Sequence, residues 1–344
     1  MAKEVDGPYV FYKKYNLIVN YIVDSNGTKH IQRDTVNLKE KRNLSLHVGD
    51  GTPDQSFSVK LKDQLINEKS EFKKVDKMLV VSDIEGDFRS FIKLLRAGNV
   101  IDENFNWTFG NGNLVLVGDF LDRGRQVTEV LWLIYALEDK AKAAGGYVHY
   151  ILGNHEIMDL SGDTRYVNPK YFDNARLMQK SYDNLYDDNS ELGRWLKTKN
   201  VVEKIGALLF VHGGISKEVN NLGISITKIN QFVRPYYSKS REQYFDPAVS
   251  TILNQKVGPF WYRGYYDETQ KAKPEQINKT LSKYKLTGII TGHTVYADTI
   301  SVCYDGKIIN LDTHDNHGIA EALLIEEGKY YRINPFGEKF LIME

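Results

Sequence analysis

The feature that most constrains this chain is a repeated pairing of a short apolar run with a polar turn placed directly after it. Met78-Leu-Val-Val-Ser82 runs into Asp83-Ile84-Glu85-Gly86, and Leu114-Val-Leu-Val117 runs into Gly118-Asp119-Phe120-Leu121-Asp122-Arg123-Gly124. Residues 147–152 lead into Gly153-Asn154-His155-Glu156, residues 207–211 into His212-Gly213-Gly214, and residues 287–291 into Gly292-His293-Thr294. Each run is too short for a buried helix. Between the early ones lie helical spacings, with Phe88, Phe91, Ile92 and Leu95 in 88–97 and a longer segment over 127–144. Strands alternating with helices predict an α/β architecture, with functional groups outside the carboxyl ends of the strands.

Carboxylates, an amide and imidazoles arriving from separate strand ends are what a pair of divalent ions requires. Hydrolysis of phosphate esters is the chemistry such a pair most often serves. The 344 residues suffice for one large domain plus a small accessory, and 42% hydrophobic with 26% charged residues is ordinary for a globular chain. Lys plus Arg equals Asp plus Glu at 45 each, so no global field favours nucleic acid or an anionic membrane. Cys303 is the only cysteine, which excludes an intramolecular disulfide, and its setting in 299–304 reads as a packed strand thiol. No apolar run approaches the roughly 18–20 residues of a membrane span. Met-Ala-Lys-Glu-Val-Asp opens without an apolar signal core. The cytoplasm is therefore the default compartment, with periplasm or export open to a chain whose leader has been removed.

Residues 8–36 are rich in aromatic and β-branched types, and Asp24-Ser-Asn-Gly27 supplies hairpin turn chemistry. The polar, lysine-rich stretch that follows closes a β-rich accessory over residues 1–75, ahead of a catalytic domain at 76–344. Two long segments, 159–204 and about 219–280, interrupt the strand series. They read either as substrate-selecting insertions or as a surface helical subdomain.

The motif order D-x-x-G, GDxxDRG, GNHE, HGG, GHT resembles the calcineurin-like metallophosphoesterases, specifically their phosphoprotein-phosphatase branch, over roughly residues 78–320. GDFLDRG and GNHE carry most of the specificity. The resemblance implies a four-layer α/β/β/α sandwich of two mixed sheets and two divalent ions. Manganese is the first choice of ion, with iron, zinc or magnesium as alternatives. By resemblance, Asp119 bridges the ions, Asp83 completes one side, and Asn154, His212 and His293 hold the second. The family's first motif is D-x-H, whereas this chain has Glu85 at the histidine position. A glutamate reaches about as far, so Glu85 is expected as a ligand favouring harder ions; the competing reading is a half-empty first site.

His155 matches the family's general acid and Asp122 its orienting partner. Arg123 is expected to bind phosphate in the bidentate geometry of guanidinium, with Arg263 in Gly258-Pro-Phe-Trp-Tyr-Arg263-Gly as a looser positional match for a second clamp. Glu156 suits a helix start or a support for the site. Asp312-Thr-His314-Asp-Asn-His317 reads as a substrate-facing loop or, less well, a separate metal site, and His30, His47 and His149 read as structural. The implied function is phosphate-monoester hydrolysis by metal-activated hydroxide, on a phosphorylated protein (Ser/Thr or Tyr) or a small phosphate ester. Nucleotide or dinucleoside-polyphosphate hydrolysis is the alternative, and a non-catalytic phosphate-binding module the reading from another class. Oligomeric state is left open.

Overall fold

The structure, a computed structural model, describes residues 3–49, 52–269, 271–313 and 320–344. Two six-stranded mixed sheets form its centre. The first runs in the order Lys339–Met343, Lys329–Ile333, Ala322–Glu326, Lys77–Val81, Asn113–Val117, Tyr147–Ile151. The second runs Ser301–Cys303, Ile308–Asn310, Gly288–Thr291, Leu208–Val211, Val202–Ile205, Glu71–Phe72. Lys77–Val81, Asn113–Val117 and Tyr147–Ile151 pair in parallel, as do Leu208–Val211, Gly288–Thr291 and Ile308–Asn310.

Period-two alternation explains the continuous apolar runs. Met78, Val80, Val115 and Val117 face Ile205, Leu208, Phe210, Ile290 and Ile309 in a core between the sheets. The intervening Leu79, Val81, Leu114 and Leu116 face the helices. Strands buried on both faces have no polar face to alternate, which is why each reads as unbroken hydrophobicity. The helices Phe88–Ala97 and Val127–Ala143 follow the first two strands, and Asp87 caps the former by accepting from Ser90 N at 3.0 Å. Phe88 and Phe91 are fully buried, each contributing roughly 2–3 kcal/mol of transfer free energy.

The N-terminal strands Lys3–Lys13, Asn16–Ser25 and Thr28–Asn37 form an antiparallel meander. Its second turn has Asn26 and Gly27 both at positive φ, with Asp24 Oδ1 accepting from Gly27 N at 2.7 Å. Phe11, Leu17 and Ile22 join the cluster that contains Trp132, whose Nε1 donates to the Pro8 carbonyl at 2.8 Å. The 159–204 segment carries the helices Pro169–Leu177 and Glu191–Leu196, and Tyr12 N donates to Asn189 O at 2.7 Å from the meander. Among the described residues, no helix is long and apolar enough to cross a membrane.

Candidate active site

The strands that carry the motifs, Lys77–Val81, Asn113–Val117, Tyr147–Ile151, Leu208–Val211 and Gly288–Thr291, end at one edge, where the five motif turns meet. The first two turns are laced together by backbone bonds: Asp83 N to Gly118 O (3.0 Å), Glu85 N to Asp119 O (2.9 Å), Gly86 N to Phe120 O (3.1 Å) and Gly124 N to Glu85 O (2.8 Å). This lacing holds Asp83, Glu85, Asp119, Asp122 and Arg123 at positive φ, and His293 lies there too. Such backbone is costly for residues other than glycine and persists only where the surroundings over-determine it, a pattern that clusters at functional sites. Gly153 shows how tight the junction is. A Cβ there would lie 2.2 Å from Asp119 Oδ1 and 2.5 Å from Asp119 N.

The deepest group is Asp119, His212 and His293, whose ligand atoms lie within 4.8 Å of one another; Glu85, Asp119 and His155 form a second such group sharing Asp119. His212 Nδ1 donates to the Val117 carbonyl at 2.7 Å. That leaves Nε2 facing Asp119 Oδ2 at 2.9 Å and Asn154 Oδ1 at 3.1 Å. Asp83 accepts from His293 N through both oxygens at 3.2 Å. Burial opposes charge on His212, yet Asp119 and Asp83 outweigh it and push its pKa up to about 10. Burial likewise works against Asp119, whose carboxyl the neighbouring His212 and His155 still hold well below the usual range. Burial, then Asp312, drives Asp83 well above its ordinary value, and burial drives His293 well below its own, helped by His212 and Arg263.

The residues present fit divalent ions. His293 Nε2 is buried without a hydrogen-bond partner, a free lone pair aimed into an acidic cluster. His212 has its outer nitrogen tied to a carbonyl, as ligating histidines do. Carboxylates forced to hold protons for want of a counter-charge are what a cation would relieve.

His155 Nδ1 meets Asp122 Oδ2 at 2.6 Å, its backbone N–H donates to Asp119 Oδ1 at 2.9 Å, and its Nε2 stands 3.8 Å from Asp119 Oδ2 and 4.0 Å from Glu85 Oε1. Burial disfavours its charge, but Asp119 and Asp122 prevail and its pKa is raised. Glu85 Oε2 accepts from the Arg123 guanidinium at 2.8 Å. Its pKa rises to about 7 because burial exceeds the help from Arg123. Arg263 donates to the His293 carbonyl at 2.8 Å and to Thr294 Oγ1 at 3.2 Å. Arg123 and Arg263 both line a cleft of about 710 Å³ that opens over this cluster.

The ten candidate residues named from the sequence all meet at this edge. Three further residues shape the site: Glu156 and Asp312, which the sequence already places as a support and in a substrate-facing loop, and Tyr166, which it does not. Glu156, fully buried, accepts from Phe120 N (2.7 Å), Asp119 N (3.0 Å), Gly153 N (2.6 Å) and Tyr150 OH (2.9 Å), so it anchors the turn carrying Asp119. The capping-box spacing of GNHE was the available signal for it. The Tyr166 ring lies tilted against His155, 5.1 Å between centroids, and beneath Arg123, the residue half-exposed; nothing in its local sequence marks it. Asp312 lines the cleft with a pKa pushed up to about 6, chiefly by burial. His314 to His317 lie outside the described residues. His149 is buried between Asn113 and Glu203 at 2.9 and 2.8 Å, remote from the turns, while His30 and His47 are exposed.

A family model described as calcineurin-like phosphoesterase matches residues 77–297. Shewanella-like protein phosphatase 2 of Arabidopsis thaliana is 26% identical over 296 residues, spanning 73% of this chain and 74% of that one. Shewanella-like protein phosphatase 1 of Plasmodium berghei is 28% identical over 246 residues, spanning 68% and 66%. The crystal structure of a cold-active protein-tyrosine phosphatase from a psychrophilic Shewanella species superposes with a TM-score of 0.88 at 30% identity, covering 98% of this chain and 99% of that one. By sequence and by fold alike, this chain belongs to the calcineurin-like phosphoesterases, in their phosphoprotein-phosphatase branch, and is a metal-dependent phosphatase.

Proposed function

We infer that the chain hydrolyses phosphate monoesters on protein side chains, phosphotyrosine foremost. The observation that carries this reading is the His155–Asp122 couple at 2.6 Å, set directly beside the Asp119–His212–His293 cluster. A binding module has no use for an oriented proton donor. Asp83, Glu85 and Asp119 would hold one divalent ion, and Asp119, Asn154, His212 and His293 the other. Bound there, such ions neutralise phosphate oxygens and lower the pKa of water from 15.7 to about 7. Manganese suits a shell of carboxylates, an amide and imidazoles. Glu85 has Oε1 left for an ion while Oε2 engages Arg123.

Arg123 and Arg263 would grip the phosphate oxygens from opposite sides of the cleft, fixing the ester in line for attack. His155, kept protonated by Asp119 and Asp122, would then give its Nε2 proton to the departing oxygen. Tyr166 beside His155 offers a face for an aromatic leaving group, in keeping with the tyrosine phosphatase relative. The division into a β-rich accessory (1–75) and a catalytic domain (76–344) belongs to the same proposal, except that Glu71–Phe72, an edge strand of the second central sheet, falls with the catalytic body; the accessory braces the helix Val127–Ala143.

A panel of phosphotyrosine, phosphoserine and phosphothreonine peptides, aryl phosphates, ATP and diadenosine polyphosphates, assayed with added manganese, tests the reading. Phosphotyrosine peptides are expected to give the highest kcat/KM. Faster cleavage of the nucleotides would replace the proposal with nucleotide hydrolysis, and no turnover above a buffer blank would leave a binding module.

A further inference from the structure

Behind the proton donor lies a second carboxyl that the reaction as described does not use. Asp159 sits four residues after His155 on the helix Asn154–Ser161, so the two side chains share a face, and both reach Asp122. Asp122 is 2% and Asp159 1% exposed. Asp122 Oδ2 accepts from His155 Nδ1, and Asp159 Oδ2 accepts from the Tyr182 hydroxyl at 2.6 Å. The remaining oxygens, Asp122 Oδ1 and Asp159 Oδ1, are both buried and have no donor among the described residues, although the two carboxyl groups interact directly. The groups acting most strongly on Asp159 are Asp122, Tyr182 and Glu156, none of them a cation. Asp122 has the His155 imidazolium as its counter-charge, whereas Asp159 has none beside it; a proton on Asp159, shared with Asp122, spares the second buried charge and satisfies both orphan oxygens. Burial, with the charge of Asp122 added, pushes the Asp159 carboxyl well above its ordinary range.

We propose that Asp159 is a positioning residue for the proton donor: a neutral carboxylic acid that hydrogen-bonds Asp122 Oδ1, aims Oδ2 at His155, and draws off part of the charge of Asp122. This rests on His155 as proton donor. In the step it serves, the oxygen of a water-derived hydroxide bonds to phosphorus while the P–O bond to the leaving group breaks, and the electron pair of the broken bond stays on the leaving oxygen. That oxygen takes the Nε2 proton of His155, which is left neutral. The proton between Asp159 and Asp122 does not leave the pair. By withdrawing charge from Asp122, it weakens the hold on the imidazolium proton, so the donor releases it more readily to a poor leaving group.

The test uses the metal-loaded enzyme and the variants Asp159→Leu, Asp159→Asn and His155→Asn. Asp159→Leu is expected to lose roughly tenfold in kcat on phosphoserine peptide, whose leaving group needs the proton, and distinctly less on an activated aryl phosphate. Asp159→Asn, whose amide donates the same bond to Asp122, should return to within about threefold of wild type. In the infrared spectrum at neutral pH, wild type should show a neutral carboxylic acid C=O band that Asp159→Asn removes. Equal loss on both substrates overturns the proposal, as does an Asn variant no better than Leu, or a spectrum in which Asn removes no such band. If Asp159→Leu does not fold, the infrared difference decides, together with Tyr182→Phe, which should lower the phosphoserine rate more than the aryl rate. His155→Asn separates the two levels. Lacking any leaving-group bias, it would bring down the proton-donor reading itself. With that bias present there and absent in Asp159→Leu, only the role of Asp159 falls.

Discussion

The floor of the cleft and its rim are built on opposite terms. On the floor, Asp119, Asp122, His155 and His212 are at most 3% exposed, and each is fixed by two or more neighbours. Glu156 alone ties four groups around the Asp119 turn. At the rim, the Arg123 side chain is 55% exposed and its recorded ion-pair partner, Glu85, is itself a candidate ligand. Arg263 is exposed and holds only backbone and hydroxyl oxygens of the His293 turn. The contrast teaches that the bond-breaking groups are preorganised, while those that grip the phosphate can rearrange when it arrives. Preorganised donors lose no free energy to reorganisation at the moment of reaction.

The largest effect expected from attacking the floor is on His155. His155→Asn should lower kcat on phosphoserine peptides by about 10²–10⁴-fold, with a much smaller loss on activated aryl esters; uniform loss on both would mean the floor does something other than proton donation. The rim should respond in KM. Arg123→Ala and Arg263→Ala are each expected to raise KM roughly tenfold or more and to weaken inhibition by inorganic phosphate, and an arginine whose removal leaves both unmoved is not part of the clamp. Glu156→Gln replaces an acceptor by a donor against two backbone N–H groups and should destabilise the fold by about 1–3 kcal/mol in denaturant titrations. Unchanged stability would show that the floor is less over-determined than its geometry states. Glu85→Gln sits between the two regions, and manganese content by elemental analysis should fall in it; unchanged occupancy and rate would assign Glu85 wholly to the rim.

A pH experiment sharpens the same contrast. In the metal-free protein His212 is raised to about 10 and Glu85 to about 7, so at pH 7 the imidazole is protonated and the carboxyl about half so. Ligation requires both protons to leave. With Asp83, which burial and Asp312 drive well above its ordinary range, added to these two, metal binding should release at least about one to two protons per chain at pH 7, seen with an indicator dye. Apparent affinity should climb as pH rises from about 6 towards 10. A pH-independent affinity would show that His212 is neutral before the ion arrives.

The strands that carry the motifs were legible in their apolar runs, and nine of the ten candidate site residues sit in the turns that follow those runs, where the family resemblance gave them roles; Arg263, in an insertion away from any such turn, was only a loose positional match. Val127–Ala143 and Phe88–Ala97 were legible in a clear helical spacing. The supporting residues were less so. Asp159 reads locally as an ordinary helix carboxylate, and only the tertiary approach of Asp122 makes it unusual. Tyr166 lies in a segment without periodicity, and its place over His155 depends on the Arg123 N–H bonding to its carbonyl at 3.0 Å. Pattern reports what one element needs for burial; contacts between elements leave no period behind.

The left-handed backbone at Asp83 and Asp119 dictates how a substrate trap should be made. Asparagine tolerates that conformation nearly as well as aspartate, whereas alanine adds a conformational penalty to the lost carboxylate. Asp83→Asn or Asp119→Asn should therefore yield an inert yet well-folded bait, able to hold phosphorylated clients long enough to be identified, where the alanine counterparts would confound lost chemistry with a loosened loop.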